Sequence, residues 1–167
     1  MEKVVLKAKR EIIPFPELYE KYSMDIYRYS LSILKDEDDA KDAVQETFFR
    51  YVENQKTFRA DASQKTWLLV VARNYCFSKL KKADNNNDSI DDDSFDSIYE
   101  LQLDDRITLQ DALKRLRPEQ NELLFLKEYG NYSYIEIAEI TGDTLENIKI
   151  KLFRTRQKLR KILEGSL

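Results

Sequence analysis

The 167-residue chain is 42% hydrophobic and 35% charged, a composition typical of a globular protein with a charged surface. Three glycines and three prolines are too few for the tight turns of an all-β fold. Histidine is absent and Cys76 is the sole cysteine, which argues against a Cys/His zinc site, disulfides and the commonest general base. We therefore expect no catalytic residues, no metal and no cofactor, and hence no enzymatic activity.

The hydropathy of the sequence indicates the cellular compartment in which the protein is expected. The sequence has no apolar run close to the ~18 residues of a membrane span, and the apolar segment near the N-terminus is too short for a signal peptide. We expect a cytoplasmic protein with no direct membrane insertion.

The net charge of -3 conceals an uneven distribution. Residues 1–83 hold 16 basic and 13 acidic side chains, residues 84–105 hold nine acidic and no basic ones, and residues 106–167 hold 12 basic and nine acidic ones. This pattern predicts a domain over 1–83, an acidic linker over 84–104 and a second domain over 105–167. The linker can span at most ~65 Å, so it either lets two modules grip separated sites on one duplex or acts as a solubilising spacer.

Three helices are predicted in the first domain, because apolar residues recur at intervals of three and four. The first stripe comprises Phe15, Leu18, Tyr22, Ile26, Tyr29 and Ile33. The second comprises Ala40, Val44, Phe48 and Tyr51, with Asp36 or Glu37 as its cap. Ser63 caps a third helix that is apolar almost all round from Trp67 to Ala72, which predicts a buried, central position.

The outer face of the second helix combines acids with an aromatic residue. Asp39, Asp42, Glu46 and Phe49 fall within about 40° of the point opposite Val44. Acids are ordinary on a solvated face, but an aromatic side chain among polar groups often marks a partner site. A lone apolar surface residue is the alternative for Phe49.

Four shorter helices are predicted in the second domain, at about Asp105–Leu116, Pro118–Tyr129, Ser133–Ile140 and Thr144–Leu163. Ser133 and Asp143 stand at capping-box spacing from a glutamate, which predicts that each caps a helix. Gly142 lies between the last two helices, where a short turn favours a left-handed residue. A helix, a tight glycine turn and a basic helix are typical of a helix-turn-helix.

The last helix divides into two faces. The packing face is predicted to hold Leu145, Ile148, Leu152, Leu159 and Leu163. The outward face is predicted to hold Glu146, Ile150, Phe153, Arg154, Gln157 and Lys161, with Asn147 and Lys151 on its flank. Seven basic side chains follow Glu146 with no acid between them, so partners within the helix are missing. A solvated basic helix is possible, but unpaired like charges favour a polyanionic partner such as DNA.

Several fragments, in order, resemble the extracytoplasmic-function sigma factors, the smallest promoter-specificity subunits of bacterial RNA polymerase. The segment DAKDAVQETFFRYV at 39–52 is similar to that family's polymerase-binding helix, and TWL at 66–68 with VARN at 71–74 to the helix after its promoter-melting loop. The segments LRPEQ at 116–120, YSYIEIAE at 132–139 and IKIKLFRTR at 148–156 are similar to its second domain. The resemblance covers about 15–82 and 105–163.

The resemblance implies an all-α protein of two small helical domains, a three-helix promoter-melting domain and a four-helix helix-turn-helix domain. It implies a sigma factor that binds core polymerase, recognises promoter DNA and promotes strand opening. The polymerase-binding face, which would dock on the clamp helices of the largest subunit, would comprise Asp39, Asp42, Gln45, Glu46 and Phe49. The flap of the second-largest subunit is a further expected contact.

DNA contacts are implied in both domains. The loop at about 56–65 would capture a flipped base of the melted non-template strand, and Phe58 or Arg59 could stack on it. The minus-ten set would comprise Phe58, Arg59, Lys65, Arg73, Asn74, Lys79, Lys81 and Lys82. The minus-thirty-five set, reading double-stranded DNA, would comprise Ser133, Thr144, Glu146, Asn147, Lys149, Ile150, Lys151, Phe153, Arg154 and Arg156.

The resemblance has two further implications, and the sequence departs from the family pattern at two positions. The family leads us to expect an anti-sigma partner and a linker that follows the path later taken by RNA, which suits the nine carboxylates of residues 84–105. Ile150 stands where many relatives carry a small polar residue, and Ser78 where an acid is common. The rival interpretations are a helix-turn-helix regulator that binds DNA without polymerase and a helical adaptor without promoter activity.

Overall fold

The computed structural model describes residues 12–56, 63–86 and 108–165. Within these ranges every regular element is helical. The first domain consists of α1 (Phe15–Leu34), α2 (Glu37–Asn54) and α3 (Gln64–Asn86), which pack against one another. The second consists of α4 (Leu109–Lys114), α5 (Pro118–Leu124) with a π-helical turn at Phe125–Tyr129, α6 (Tyr134–Thr141) and α7 (Leu145–Leu163).

The predicted stripes of α1 and α2 form the core of the first domain. Leu18, Ile26, Tyr29 and Ile33 are buried, as are all four predicted positions of α2. Asp36 caps α2 by accepting from the Asp39 backbone N–H at 2.9 Å, and Ser63 Oγ accepts from the Thr66 backbone N–H at 3.0 Å. The predicted caps and helical periods are therefore confirmed.

The third helix is longer than the predicted domain boundary. It continues to Asn86 and so includes the first three residues of the predicted 84–104 linker. No glycine or proline stands before Asn86 to stop it, so the preceding turns simply continue. The rest of the linker lies outside the described residues.

The turn before α7 differs from the prediction in its capping residue. Thr144, not Asp143, is the N-cap: its backbone is extended at ψ 152°, and its Oγ1 accepts from the Asn147 N–H at 3.2 Å. Asp143 lies one residue earlier and accepts from the Thr144 N–H instead. Gly142 has the predicted left-handed conformation, with φ 72°, and closes α6.

The buried face of α7 differs in part from the predicted packing face. Ile148, Leu152, Thr155 and Ile162 are buried, whereas Leu145 and Leu163 are 37% and 43% exposed. At ~100° per residue, Leu145 and Leu163 each lie about 60° from Ile148, at the edge of the stripe and in the terminal turns. Thr155 was missed because a polar residue does not register in an apolar pattern, although its position between Leu152 and Leu159 follows the same spacing.

The two domains pack against each other, α1 against α5 and the π-helical turn, and α3 against α6. Tyr29 of α1 makes an edge-on ring contact with Phe125, with centroids 6.0 Å apart. Arg28 Nη1 donates to the Tyr129 hydroxyl at 2.6 Å. None of the helices in the described ranges combines the length and apolar character needed to cross a membrane.

Candidate nucleic-acid interface

The outer face of α2 has the exposed aromatic residue that the sequence predicted. Phe49 is 59% exposed and Val52, one turn later, is 43% exposed. Asp42 and Gln45 are exposed, and Asp39 and Glu46 are half-buried beside them. The five predicted residues therefore share one accessible surface, and Val52 extends its apolar part. Val52 could have been found from sequence, because it stands three positions after Phe49.

Part of this acidic face is neutralised within the chain. Lys79 Nζ of α3 lies 2.8 Å from Asp39 Oδ1 and 3.8 Å from Asp42 Oδ2, and the hydrogen bond to Asp39 raises the pKa of Lys79. Arg50 Nε pairs with Glu46 at 2.8 Å. Lys79, predicted to contact DNA, thus lies beside the predicted polymerase-binding acids.

The predicted minus-ten residues fall into two groups. Asn74, Lys81 and Lys82 are exposed along α3. Lys65 and Arg73 instead contact the second domain, Lys65 beside Tyr132 and Arg73 on Glu122. Phe58 and Arg59 lie outside the described residues.

Glu122 of α5 is the centre of the contact with Arg73. Its side chain is 2% exposed, and its Oε1 accepts from Arg73 Nε at 2.7 Å and from the Tyr29 hydroxyl at 2.6 Å. Burial raises the pKa of the Glu122 carboxyl, while the bond from Tyr29 and the charge of Arg73 act in the opposite direction. Burial and the neighbouring carboxylate also raise the pKa of Tyr29 well above its ordinary value. Sequence gave no signal for this pairing, since 93 residues separate Tyr29 from Glu122.

The outward face of α7 is open to solvent. Ile150 is 48% exposed and Phe153 is 62% exposed. The remaining exposed members of the predicted set on α7 are Glu146, Asn147, Lys149, Lys151, Arg154 and Arg156. The prediction of which side faces outward is therefore confirmed, and the face combines amide, cationic and apolar groups of the kinds that read base edges.

Two residues of the predicted minus-thirty-five set are engaged at helix starts. Ser133 Oγ accepts from the Glu136 N–H at 3.1 Å, and Glu136 Oε1 accepts in return from the Ser133 N–H at 3.2 Å. This is the predicted capping box of α6. Thr144 plays the equivalent part for α7, so both hydroxyls hold backbone N–H groups of the helix-turn-helix.

The basic run on α7 does have acidic partners, contrary to the expectation from its sequence. Lys151 Nζ lies 2.5 Å from Asp143 Oδ2, and Arg156 Nη2 lies 2.6 Å from Glu128 Oε1. Neither acid belongs to α7: Asp143 precedes it and Glu128 lies in the π-helical turn. A search for i,i+4 pairs misses both because it considers a single helix.

The described residues were also searched for a metal site and for a reactive cysteine. They contain no group of three or more Cys, Asp or Glu side chains placed to hold a metal ion. Cys76 is buried, and burial raises the pKa of its thiol to about 11, which makes it a poor nucleophile.

Two family matches coincide with the two domains. Residues 18–86 match Sigma-70 region 2, and residues 106–159 match Sigma-70, region 4, together well over half of the chain. The chain belongs to the sigma-70 family. It is an RNA polymerase sigma factor of the extracytoplasmic-function type, and it acts in promoter recognition and transcription initiation. Members of this family are initiation factors, and their partners are core RNA polymerase and promoter DNA.

Curated relatives of this sigma factor match along nearly their whole length. The Bacillus subtilis ECF RNA polymerase sigma factor SigM is 32% identical over 152 residues, which cover 86% of this chain and 91% of SigM. The Bacillus subtilis RNA polymerase sigma factor YlaC is 28% identical over 163 residues, 90% of this chain and 92% of YlaC.

Solved structures share the fold of this sigma factor. The sigma factor RpoE from Bartonella quintana, solved in complex with the anti-sigma factor NepR, superposes with a TM-score of 0.71 at 24% identity, covering 90% of this chain and 96% of RpoE. CnrH, solved with the cytosolic domain of CnrY, gives a TM-score of 0.66 at 19% identity, covering 92% and 89% of the two chains.

Proposed function

We propose that the outer face of α2 is where this sigma factor docks on the clamp helices of the largest polymerase subunit. Asp42, Gln45 and Phe49 are exposed there, with Asp39 and Glu46 beside them. An exposed aromatic side chain on the same face as several acids suits a partner surface with apolar and basic groups. This face is the single observation that carries the proposal, because a regulator that binds DNA alone has no use for it.

The outward face of α7 contacts the minus-thirty-five element in the major groove. Asn147 and Arg154 supply hydrogen-bonding groups for base edges, Ile150 supplies an apolar contact for a thymine methyl, and Lys149 supplies charge for phosphates. Ser133 and Thr144 cap α6 and α7, and the N-termini of these two helices face the phosphate backbone of the DNA. Glu146, Lys151, Phe153 and Arg156 complete the set.

The minus-ten element is held by α3 and by the loop before it. Asn74, Lys81 and Lys82 face the duplex backbone, and Phe58 or Arg59, outside the described residues, stacks on a base extruded from the non-template strand. Lys65 and Arg73 join this surface once the second domain has moved away from them. Unpairing the base costs a few kcal/mol, and stacking and hydrogen bonds to the trapped base offset that cost, which stabilises the opened strands.

Further parts of the proposal concern partners and compartment. The sigma factor acts in the cytoplasm, where its polymerase is, catalyses no reaction itself and contacts the flap of the second-largest subunit. Because RpoE was solved in complex with an anti-sigma factor, an anti-sigma partner is proposed here too. The domain division near 83, where α3 continues to Asn86, and at 105 belongs to the same proposal, as does the passage of the acidic linker along the path later taken by RNA.

A pull-down on core polymerase followed by run-off transcription tests the docking face. We expect the wild-type chain to bind core and direct specific transcripts, and Asp42→Lys and Phe49→Ala to lose core binding. Glu20→Lys is the matched control, since Glu20 is exposed on α1 and undergoes the same charge reversal. Core binding by Asp42→Lys at the wild-type level would refute the docking face, and DNA binding without core binding by the wild-type chain would favour a plain regulator.

A further inference from the structure

The π-helical turn at Phe125–Tyr129 directs three consecutive side chains to three different helices. In this turn the Gly130 N–H donates to the Phe125 carbonyl oxygen at 2.8 Å, five residues back instead of the four of an α-helix. Turns of this kind are rare and occur frequently at functional sites. Because the turn holds one extra residue, the side chains at its end differ in direction by up to ~100° from those of an uninterrupted α-helix.

The three side chains come from the last residues of the turn. Lys127 Nζ lies 4.4 Å from the ring centroid of Tyr134 on α6. The Tyr129 hydroxyl accepts a hydrogen bond from α1. Glu128, between them, faces Arg156 of α7, which belongs to the minus-thirty-five set. The turn therefore places an acid against one cation of the DNA-binding helix.

The contact between Glu128 and Arg156 uses one edge of the guanidinium. Arg156 Nε and Nη2 donate to Glu128 Oε1 at 2.9 and 2.6 Å. These two N–H groups lie on the same edge of a planar fork whose five donors have fixed directions. The second edge, formed by Nη1 and Nη2, points away from Glu128 and has two parallel N–H groups. Bidentate binding of a phosphate requires such a pair of donors.

The pair of Glu128 and Arg156 lies in solvent, with side chains that are 59% and 42% exposed. An exposed ion pair contributes little to folding stability, so its main consequence is the direction in which it holds the guanidinium. The hydrogen bond to Glu128, with a further contribution from Tyr134, raises the pKa of Arg156 above its ordinary value, so the side chain stays charged. At ~100° per residue, Arg156 lies within about 20° of Lys149, the residue proposed to supply charge for phosphates.

We propose that Glu128 is a positioning residue, which holds the Arg156 guanidinium so that its second edge binds a phosphate of the minus-thirty-five DNA. The inference rests on the proposed function of α7. A flexible arginine loses rotamer freedom when it binds, and an arginine that Glu128 already holds loses less. Repulsion between Glu128 and the phosphate opposes this gain, but water and salt weaken it because both groups are exposed.

The ion pair of Lys151 with Asp143 acts in the opposite direction. An ammonium group is a compact charge with three rotatable donors, so it has no second edge that a carboxylate could orient. Asp143 therefore competes with a phosphate for Lys151, whereas Glu128 leaves one edge of Arg156 available. The two acids pair with cations of the same helix but have different effects on DNA binding.

Binding of the full chain to a duplex with a mapped minus-thirty-five element, measured over a range of salt concentrations, tests the proposal. We expect Glu128→Ala to bind several-fold more weakly than wild type. Its slope of log K against log salt should be shallower by about 0.9, the value for one phosphate contact. Glu128→Gln keeps a side-chain oxygen that accepts from Arg156, so it should bind at least as tightly as wild type, with the wild-type slope.

Two controls separate positioning from net charge and from folding. Glu139→Ala removes the same charge at an exposed position of α6, outside the proposed binding sets, and is expected not to weaken DNA binding. In an Arg156→Ala background, Glu128→Ala should have no further effect on affinity or slope, because the side chain that it positions is absent.

Tighter or unchanged binding by Glu128→Ala would overturn the proposal, because the acid would then only repel DNA or have no effect on it. Equal weakening by Glu128→Ala in the wild-type and Arg156→Ala backgrounds would also overturn it, since the effect would not pass through Arg156. Both results leave the proposed function of α7 standing if Arg156→Ala itself weakens binding. Wild-type binding by Arg156→Ala would instead remove Arg156 from the DNA-binding set, and this inference with it.

Discussion

Asp143 holds two predicted DNA-reading side chains at once. Its Oδ1 accepts from Asn147 Nδ2 at 3.0 Å and from the Thr144 N–H at 2.8 Å, and its Oδ2 pairs with Lys151. Lys151, Asn147 and the Thr144 backbone lower the pKa of the Asp143 carboxyl to about 2. Because a carboxylate only accepts hydrogen bonds, it turns the amide N–H group of Asn147 towards itself and the Asn147 oxygen away.

The first prediction concerns Asp143→Ala. The substitution releases Lys151 to pair with a phosphate, so binding to duplex DNA should tighten and depend more steeply on salt, by about 0.9 in the slope of log K against log salt. Affinities measured between low and moderate salt give this slope. In a Lys151→Ala background the same substitution should leave the slope unchanged, and an equal change in both backgrounds would contradict the assignment.

The lowered pKa of Asp143 predicts how folding stability and DNA affinity depend on pH. Since it is about 2 in the folded chain against an ordinary value of 3.8, the Asp143 contacts stabilise the folded state at every pH above about 3.8. That contribution falls only as the pH drops towards 2. Asp143 should therefore stay ionised between pH 6 and 8, so any pH dependence of DNA affinity in that range should be the same in the wild-type chain and in Asp143→Asn. A pH dependence that is present in the wild-type chain and abolished in Asp143→Asn would contradict the account.

Gly130 owes its role to close packing, because its φ is an ordinary -75°. A Cβ there would lie 2.7 Å from two carbons of the Tyr132 ring. We expect Gly130→Ala to lower the free energy of unfolding by about 1–3 kcal/mol through overpacking. Urea unfolding measures the change, and the cost should largely vanish in a Tyr132→Ala background. An equal cost in both backgrounds would place the clash elsewhere.

At the scale of the element, α7 shows what an apolar period can and cannot predict. The repeat identified the outward face, including the exposed Ile150 and Phe153. It placed Leu145 and Leu163 inside because it carries no information about where the neighbouring helices end. The first and last turns extend beyond the packed centre of the domain, so apolar residues there stay partly exposed.

The face of α7 yields a prediction about base reading. If Ile150 contacts a thymine methyl, replacing that thymine by deoxyuracil should weaken binding about fourfold, as expected for one buried methyl group of ~0.8 kcal/mol. A scan of thymine-to-deoxyuracil substitutions across a mapped minus-thirty-five element, by competition binding, locates the base. Ile150→Ala should bind both DNAs equally. A wild-type chain that is indifferent to every such substitution would contradict the contact.

Helix bounds and caps were largely predictable because they depend on neighbours within four residues, as Asp36, Ser63 and Gly142 illustrate. The contacts that modify the candidate sites were not. Arg73 and Glu122 are 49 residues apart, and Lys79 and Asp39 belong to different helices. Neither an apolar repeat nor a charge count shows which residues pair at such separations. Arg73, Lys65 and Lys79 were therefore predicted to be free to bind DNA, whereas each has a partner within the chain.

At the scale of the whole molecule, the two basic domains meet through hydrogen bonds to the buried Glu122 side chain, although their sequence shows only an acidic segment between them. The charge count predicted two modules and a tether, and the family matches at 18–86 and 106–159 likewise leave a gap between two domains. It did not predict that the modules pack together. The proposed polymerase-binding face on α2 and the outward face on α7 are accessible in this packed form, whereas part of α3 is covered.

The division of labour between α2 and α7 is tested most directly by run-off transcription with core polymerase, scored together with core binding for Asp42→Lys and Arg154→Ala. We predict that Asp42→Lys loses core binding and transcripts while its duplex binding persists. Arg154→Ala should keep core binding and lose promoter-specific transcripts. Wild-type transcription by Asp42→Lys, or loss of core binding by Arg154→Ala, would contradict the account.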